Sequence, residues 1–176
     1  MYVWIGCKLP EDFADGLRQV CTAQNRDLGL DASGFHLPQH ISLKITFDAG
    51  QRWQEILDRL EGWLQTKEKF YVNLNSPELV PGVLWLPVTK NAYLTALHRD
   101  LDSLLQADFG IGQHPFDKDF RFHTTLFQGD GEGMQMMHRR LAELRFSMPL
   151  PVDTFLLGVS EDNTRGSYRI VREIHL

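Results

Sequence analysis

Between residues 40 and 47 apolar and polar side chains alternate strictly, with Ile41, Leu43, Ile45 and Phe47 on one face and His40, Ser42, Lys44 and Thr46 on the other. A period of two is that of a strand with one face buried. A second segment of this kind runs from Phe120 to Phe127, placing Arg121, His123, Thr125 and Phe127 on one face. Around these lie segments of helical period. Phe13, Leu17, Val20, Cys21 and Gln24 follow the helix opening Pro10-Glu11-Asp12, and Trp53, Ile56, Leu57, Leu60, Trp63 and Leu64 form a second stripe. Leu94, Leu97, Leu101, Leu104 and Leu105 form a third, ending near Gly110 and Gly112, and Met137, Leu141 and Leu144 a fourth. Further strands are predicted over 1–8, 70–74, 83–88, 154–159 and 168–174. Pro81-Gly82 and the run Asn163 to Gly166 supply turns.

In this order, residues 1–76 read strand, helix, strand, helix, strand, and residues 79–160 repeat it before one further strand. The expectation is an α+β chain, internally duplicated, whose lobes span about 1–76 and 79–176 and pack as one domain, since no linker or low-complexity tract separates them.

Composition limits the function classes. A chain of 176 residues with 43% hydrophobic and 11% aromatic content buries a core of its own. A formal charge of −5 excludes a protein that coats nucleic acid by bulk phosphate attraction, but leaves room for a local cluster that binds one small phosphorylated nucleotide or RNA end. Cys7 and Cys21 fit neither a disulfide framework nor a metal-ligand spacing, and both read as buried thiols. No apolar run approaches the roughly 18 residues of a membrane span, and no leader opens the chain, so a cytoplasmic monomer without membrane contact is expected.

The candidate chemistry lies in the two alternating strands. His40-Ile-Ser42-Leu and His123-Thr-Thr125-Leu stand 123 − 40 = 83 residues apart and share the pattern His-x-(Ser/Thr)-Leu. Residues two apart on a strand lie about 6.5–7 Å apart on one face, so each histidine has a hydroxyl beside it. Two imidazoles with ordinary pKa values near ~6.5 divide the roles of general base and general acid, and the Ser42 and Thr125 hydroxyls donate to phosphate oxygens. No metal or cofactor is needed, and one His per motif, without carboxylate or cysteine partners, is a poor zinc site. Lys44 and Arg121, by alternation, are candidates to hold phosphate, and Phe127 to stack a base. His36 falls in a loop, and His98, His138 and His175 fall in helical or terminal patterns expected at the surface.

His40-Ile-Ser-Leu-Lys44 with its trailing Phe47, Phe122-His123-Thr-Thr-Leu126, the strand Val83-Leu-Trp-Leu86 and the ending Ser160…Gly166-Ser-Tyr168 resemble the two-histidine phosphoesterase superfamily, which includes 2′-5′ RNA ligase-like proteins and cyclic phosphodiesterases. The resemblance covers essentially the whole chain. It implies a bilobal fold of two antiparallel sheets around a central cleft with helices outside, His40 and His123 as acid and base, and Ser42 and Thr125 as phosphate donors. It implies a metal-independent hydrolase acting on a 2′,3′-cyclic phosphate or 2′-5′ linkage, with 2′-5′ ligation as the reverse reaction. Tyr168 either packs in the last strand or borders the cleft. RNA cyclic phosphodiesterases of that superfamily often carry an arginine just after the second motif, where this chain has Phe127-Gln128, so the resemblance carries the phosphoryl chemistry further than RNA as the substrate. The competing expectation is a non-catalytic nucleotide or RNA-end binding module on the same fold.

Overall fold

The structure is a computed structural model and describes residues 1–164 and 166–176. In chain order its elements are β1 (Tyr2–Lys8), α1 (Glu11–Asn25), β2 (His40–Ser42), β3 (Phe47–Asp48), α2 (Trp53–Leu64), β4 (Phe70–Val72), β5 (Glu78–Val80) and β6 (Val83–Pro87). They continue with α3 (Ala92–Phe109), β7 (His123–Gln128), α4 (Glu132–Leu141), β8 (Leu150–Val152), β9 (Thr154–Ser160) and β10 (Arg169–His175). Among the described residues every strand pairing is antiparallel, and with the helices this makes an α+β chain. Among the described residues no helix is long and apolar enough to cross a membrane.

One sheet has the order β10-β9-β1-β2, with β3 also on β1. The others are β5-β6-β7 and the pair β4-β8, and a bridge between Leu74 and Val88 links β4 to the end of β6. The sheets therefore do not divide the chain at residue 76: β9 and β10 return to the first sheet, and β4 joins strands of the second half. β1 and β9 are central and covered on both faces, which is why β9 is buried at all seven positions and reads as an apolar run rather than an alternation.

The helices bury the stripes that their sequence period predicts. Ile56, Leu57, Leu60 and Leu64 of α2 face the core, as do Leu94, Leu97, Leu101, Leu104 and Leu105 of α3. The latter helix is capped by the Asn91 side chain, which accepts from the Leu94 N–H at 3.0 Å, and ends at Gly110 in the left-handed conformation. In α1 the buried stripe is narrower than expected, Ala14, Leu17 and Cys21, and Val20 faces solvent. Cys7 and Cys21 are free and buried, and burial pushes the Cys21 thiol up to about 12.

The predicted strand 40–47 is interrupted. Gly6 pairs with Ser42 and Val3 with Phe47, so two residues of β1, Trp4 and Ile5, lie opposite four, Leu43 to Thr46. The excess leaves the ladder and carries Lys44 away from the His40 face. Lys44 is buried, with its ammonium 2.6 Å from Asp102 and 2.5 Å from Asp117. Asp117 also accepts from the Ile45 N–H at 3.2 Å and the His114 N–H at 2.9 Å. Burial would raise its carboxyl, but the Lys44 ammonium and these N–H donors outweigh it and hold it below the ordinary carboxylate range. His98, expected at the surface, is buried in the same cluster. Its ring nitrogens meet the carbonyls of Leu43 (2.6 Å) and Asp117 (3.1 Å), and its ring stacks on Phe120.

This cluster fastens the strand segment after His40 to α3 and to the loop that leads into β7. Removing one partner of a buried ion pair leaves an uncompensated charge, at a cost of about 3–5 kcal/mol. Asp117→Ala is expected to lower unfolding stability by that amount, measured by urea denaturation.

Candidate active site

The face of β1 turned away from Val3, Ile5 and Cys7 carries Trp4, and the adjoining edge strand β2 presents His40 and Ser42 on that face. The Trp4 indole lies flat across two glycines. A Cβ on Gly6 would come within 2.5 Å of the ring and one on Gly158 within 2.7 Å, so both positions exclude a side chain. Flat on the sheet, the indole reaches β2. Its Nε1–H donates to Ser42 Oγ at 3.0 Å, and its ring meets the His40 imidazole edge-on, with centroids 4.3 Å apart. Ser42 thus accepts from the indole and retains its own O–H for a further partner.

The second half repeats the arrangement on β6 and β7. Trp85 pairs across from Thr125, and its ring lies 4.0 Å from that of His123. The Thr125 hydroxyl has no hydrogen-bond partner among the described residues and is partly exposed. The Trp85 Nε1–H is buried without a partner among the described residues, which is where the two halves differ.

Each histidine is held in the same way. His40 Nδ1 stands 2.7 Å from the Pro38 carbonyl and His123 Nδ1 stands 2.6 Å from the Arg121 carbonyl, in both cases two residues back. A carbonyl only accepts, so Nδ1 carries the proton and the neutral ring keeps its lone pair on Nε2. Two imidazoles in one tautomer are thereby ready to take or give a proton through Nε2.

The residues that join the two strands lie behind the histidines. Gln39, next to His40, and Thr124, next to His123, are both buried, and the Thr124 hydroxyl donates to Gln39 Oε1 at 2.7 Å. The Gln39 amide donates in turn to the Gly34 carbonyl at 3.1 Å. With these neighbours tied on the core side, His40 and His123 emerge together on the other side, near enough that the charge of His123 acts on His40.

Two expected ligand-binding residues are not in the site. Lys44 is occupied by Asp102 and Asp117 and does not reach a phosphate beside His40. Phe127 is 1% exposed and packs edge-on against Phe35, so it does not stack a base. The reason is local: Leu84 pairs with Phe127 and Trp85 with Thr125, leaving Leu126 as an extra residue in β7, and this bulge turns Phe127 inward. Arg121 is at the site. Its guanidinium lies 5.3 Å from the centre of the Trp85 ring and is held by Glu78 at 2.6 Å. Tyr168 bonds Asn163 Oδ1, which also accepts from Thr46, and it lies near Tyr2, two strand positions beyond Trp4.

Trp4, Trp85, Gln39 and Thr124 are the residues that sequence reading did not single out for the site. The tryptophans left a signal, since each stands centrally in an apolar strand, Val3-Trp4-Ile5 and Leu84-Trp85-Leu86, and 85 − 4 = 81 nearly matches the spacing of the histidines. Gln39 left none.

Burial, opposed in part by the Pro38 carbonyl and aided by the charge of His123, lowers His40 to about 4. Burial also lowers His123, with Arg121 adding repulsion. Between about 4 and the ordinary value near 6.5, the unfolded chain binds a proton at residue 40 that the folded chain does not. Stability therefore falls as the pH drops through this window, by up to about 3 kcal/mol for His40. His40→Gln is expected to flatten the pH dependence of urea unfolding between pH 6.5 and 4, and an unchanged slope would contradict this reading.

Comparison with known proteins agrees with this geometry. The family model of the 2′-5′ RNA ligase superfamily matches residues 10–164, which include both histidines. No curated protein matches the chain. Among solved structures, TT0787 of Thermus thermophilus superposes with a TM-score of 0.72 at 17% identity, covering 100% of this chain and 98% of that one. E. coli LigT complexed with NADP+ gives 0.62 at 17% identity, covering 99% and 96%. Kluyveromyces marxianus Usb1 gives 0.57 at 11% identity, covering 99% and 98%. At these identities the structural matches show a shared fold.

Proposed function

This chain belongs to the 2′-5′ RNA ligase superfamily, and from that premise we propose that it is a phosphoesterase that opens a 2′,3′-cyclic phosphate, or cleaves a 2′-5′ phosphodiester, of a nucleotide or RNA end. The observation that carries the reading is the matched pair of imidazoles, each with Nδ1 donated to the carbonyl two residues back and Nε2 left for proton transfer. E. coli LigT, which shares the fold, has been captured with NADP+, with 3′-AMP and with ATP, which supports a small nucleotide as the ligand.

In this reaction water attacks phosphorus and the bond to one ribose oxygen breaks. His40, held down to about 4 mainly by burial, is the neutral partner and accepts the proton of the attacking water. His123, against the indole of Trp85, is the partner assigned as the acid, and it gives its proton to the leaving oxygen. The Ser42 and Thr125 hydroxyls donate to the non-bridging oxygens as charge builds there. Arg121 reaches the phosphate by exchanging Glu78 for it. With a ribose 5′-hydroxyl in place of water, the same proton transfers open the cyclic phosphate at its 3′-oxygen, which leaves as a hydroxyl, and join a 2′-5′ linkage.

Hydrolysis of nucleoside 2′,3′-cyclic monophosphates and 2′-5′ dinucleotides is expected in excess EDTA, with His40→Ala and His123→Ala each reducing kcat/KM on the order of a hundredfold or more. Turnover indifferent to both substitutions, measured by chromatography of the products, would remove the acid-base assignment. The pH profile supplies a separate check. Free-enzyme kcat/KM rises as His40 loses its proton near pH 4 and falls as His123 loses its own below the ordinary value. Its maximum is therefore expected below pH ~6.5, and an optimum above pH 8 would contradict the pair.

A further inference from the structure

The two tryptophans approach their neighbouring hydroxyls from different places. Directly opposite Ser42 on β1 stands Gly6, and Trp4 lies two positions before it, diagonal to Ser42. Diagonal neighbours on one face of a sheet are about 7–8 Å apart, a span that an indole crosses only if no side chain stands in between. Gly6 leaves that path open, since the edge of the ring that carries the N–H passes over it. Trp4 is buried, and its N–H donates to Ser42 Oγ at 3.0 Å. An indole nitrogen only donates, so Ser42 accepts on the side of β1 and its own proton lies elsewhere. The strand β2 lies between β1 and β7, which leaves the Ser42 O–H the side where His123 and Thr125 stand. Nothing among the described residues accepts from it there.

Trp85 stands directly opposite Thr125 rather than diagonal to it. Its ring reaches past that hydroxyl to His123, with centroids 4.0 Å apart, and its N–H ends buried with no partner among the described residues. The Thr125 hydroxyl therefore receives no bond from its tryptophan and is free to turn. One hydroxyl of the pair has its proton directed by the protein, and the other does not.

We propose that Trp4 is a positioning residue for the reaction: its indole N–H aims the Ser42 O–H at the phosphate before substrate arrives, so that Ser42 is the preorganised donor and Thr125 the adaptable one. This rests on the phosphoesterase reading above and adds a residue that acts through Ser42. A donor already aimed needs no reorientation as charge builds on the non-bridging oxygen, so its contribution falls on kcat. The edge-on contact of Trp4 with His40 is a separate matter, and a variant at position 4 disturbs both. The two effects part when the hydroxyl is removed.

The test is hydrolysis of adenosine 2′,3′-cyclic phosphate by the native chain, Trp4→Phe, Ser42→Ala and the double variant. Phenylalanine keeps an aromatic ring beside His40 and removes the N–H. Trp4→Phe is expected to lower kcat about tenfold, the scale of one hydrogen bond, with little change in KM. In the Ser42→Ala background the same change should cost less than about twofold, because no hydroxyl is left to aim. In a Thr125→Ala background it should again cost about tenfold, as an independent site requires. If urea unfolding shows that Trp4→Phe does not fold, β-(3-benzothienyl)alanine at position 4, which has sulfur in place of the N–H on the same bicyclic ring, enters the same cycles. A loss equal with and without the Ser42 hydroxyl would mean that Trp4 only packs on His40, which overturns the proposal and leaves the phosphoesterase standing. Native kcat in Trp4→Phe, a loss confined to KM, or coupling to Thr125 as strong as to Ser42 overturns it likewise. No turnover by the native chain removes the phosphoesterase reading, and the positioning role with it.

Discussion

The hydrogen bond from Thr124 to Gln39 joins the two sheets at the point where their separation matters. Each partner is the chain neighbour of a candidate catalytic histidine, and successive strand residues point to opposite faces. Pairing the inward side chains therefore brings the outward ones together. The bond is buried, so water does not compete for either group, and the loss of one partner would strand the other without a substitute. A merely apolar contact in the same place would hold the strands together but would tolerate sliding. A directional bond between one hydroxyl and one amide oxygen does not.

Behind this bond stands the cluster of Lys44, Asp102 and Asp117 with the His98 ring beside them, which secures the same two segments further along. Burying Lys44, Asp117 and His98 is a costly way to hold two sheets together, and an apolar plug of similar volume would hold them as firmly. What the charges add is register. Lys44 meets both carboxylates, and Ile45 meets Asp117, only when the loop 114–117 is seated against the segment after His40. Phe120 and Phe122, packed on His98, carry that seating to the residues that enter β7. The position of His123 relative to His40 is thus set from both sides.

The sequence made the paired histidines, their hydroxyl neighbours and the helical stripes legible because each depends on a period of two or of 3.6. His40 and Ser42, and His123 and Thr125, share faces as the alternation requires. Alternation failed at Lys44 and Phe127, both just past a motif. In each case a bulge adds residues that the partner strand lacks, and a bulge has no periodic signature. The strand exchange that returns β9 and β10 to the first sheet was hidden for another reason. Element order along the chain does not specify pairing, and a duplicated order fits lobes built separately or lobes that trade strands. His98 illustrates a third limit, since a histidine in a leucine stripe looks like a surface residue until the Leu43 and Asp117 carbonyls beside its ring are in view.

Burial of the two imidazoles also constrains how the proposed reaction begins. Both rings resist protonation, yet one must carry a proton to release the leaving oxygen. An anionic phosphate placed between them offsets the desolvation that depresses His123, raising its proton affinity as it binds. Linkage then requires the converse, that the protonated enzyme binds the phosphate more tightly than the neutral one. Arg121 opposes proton uptake by His123 while the site is empty. Once its guanidinium turns to the phosphate, that repulsion is offset by the anion both groups share. The acid is thus loaded by the substrate on which it acts.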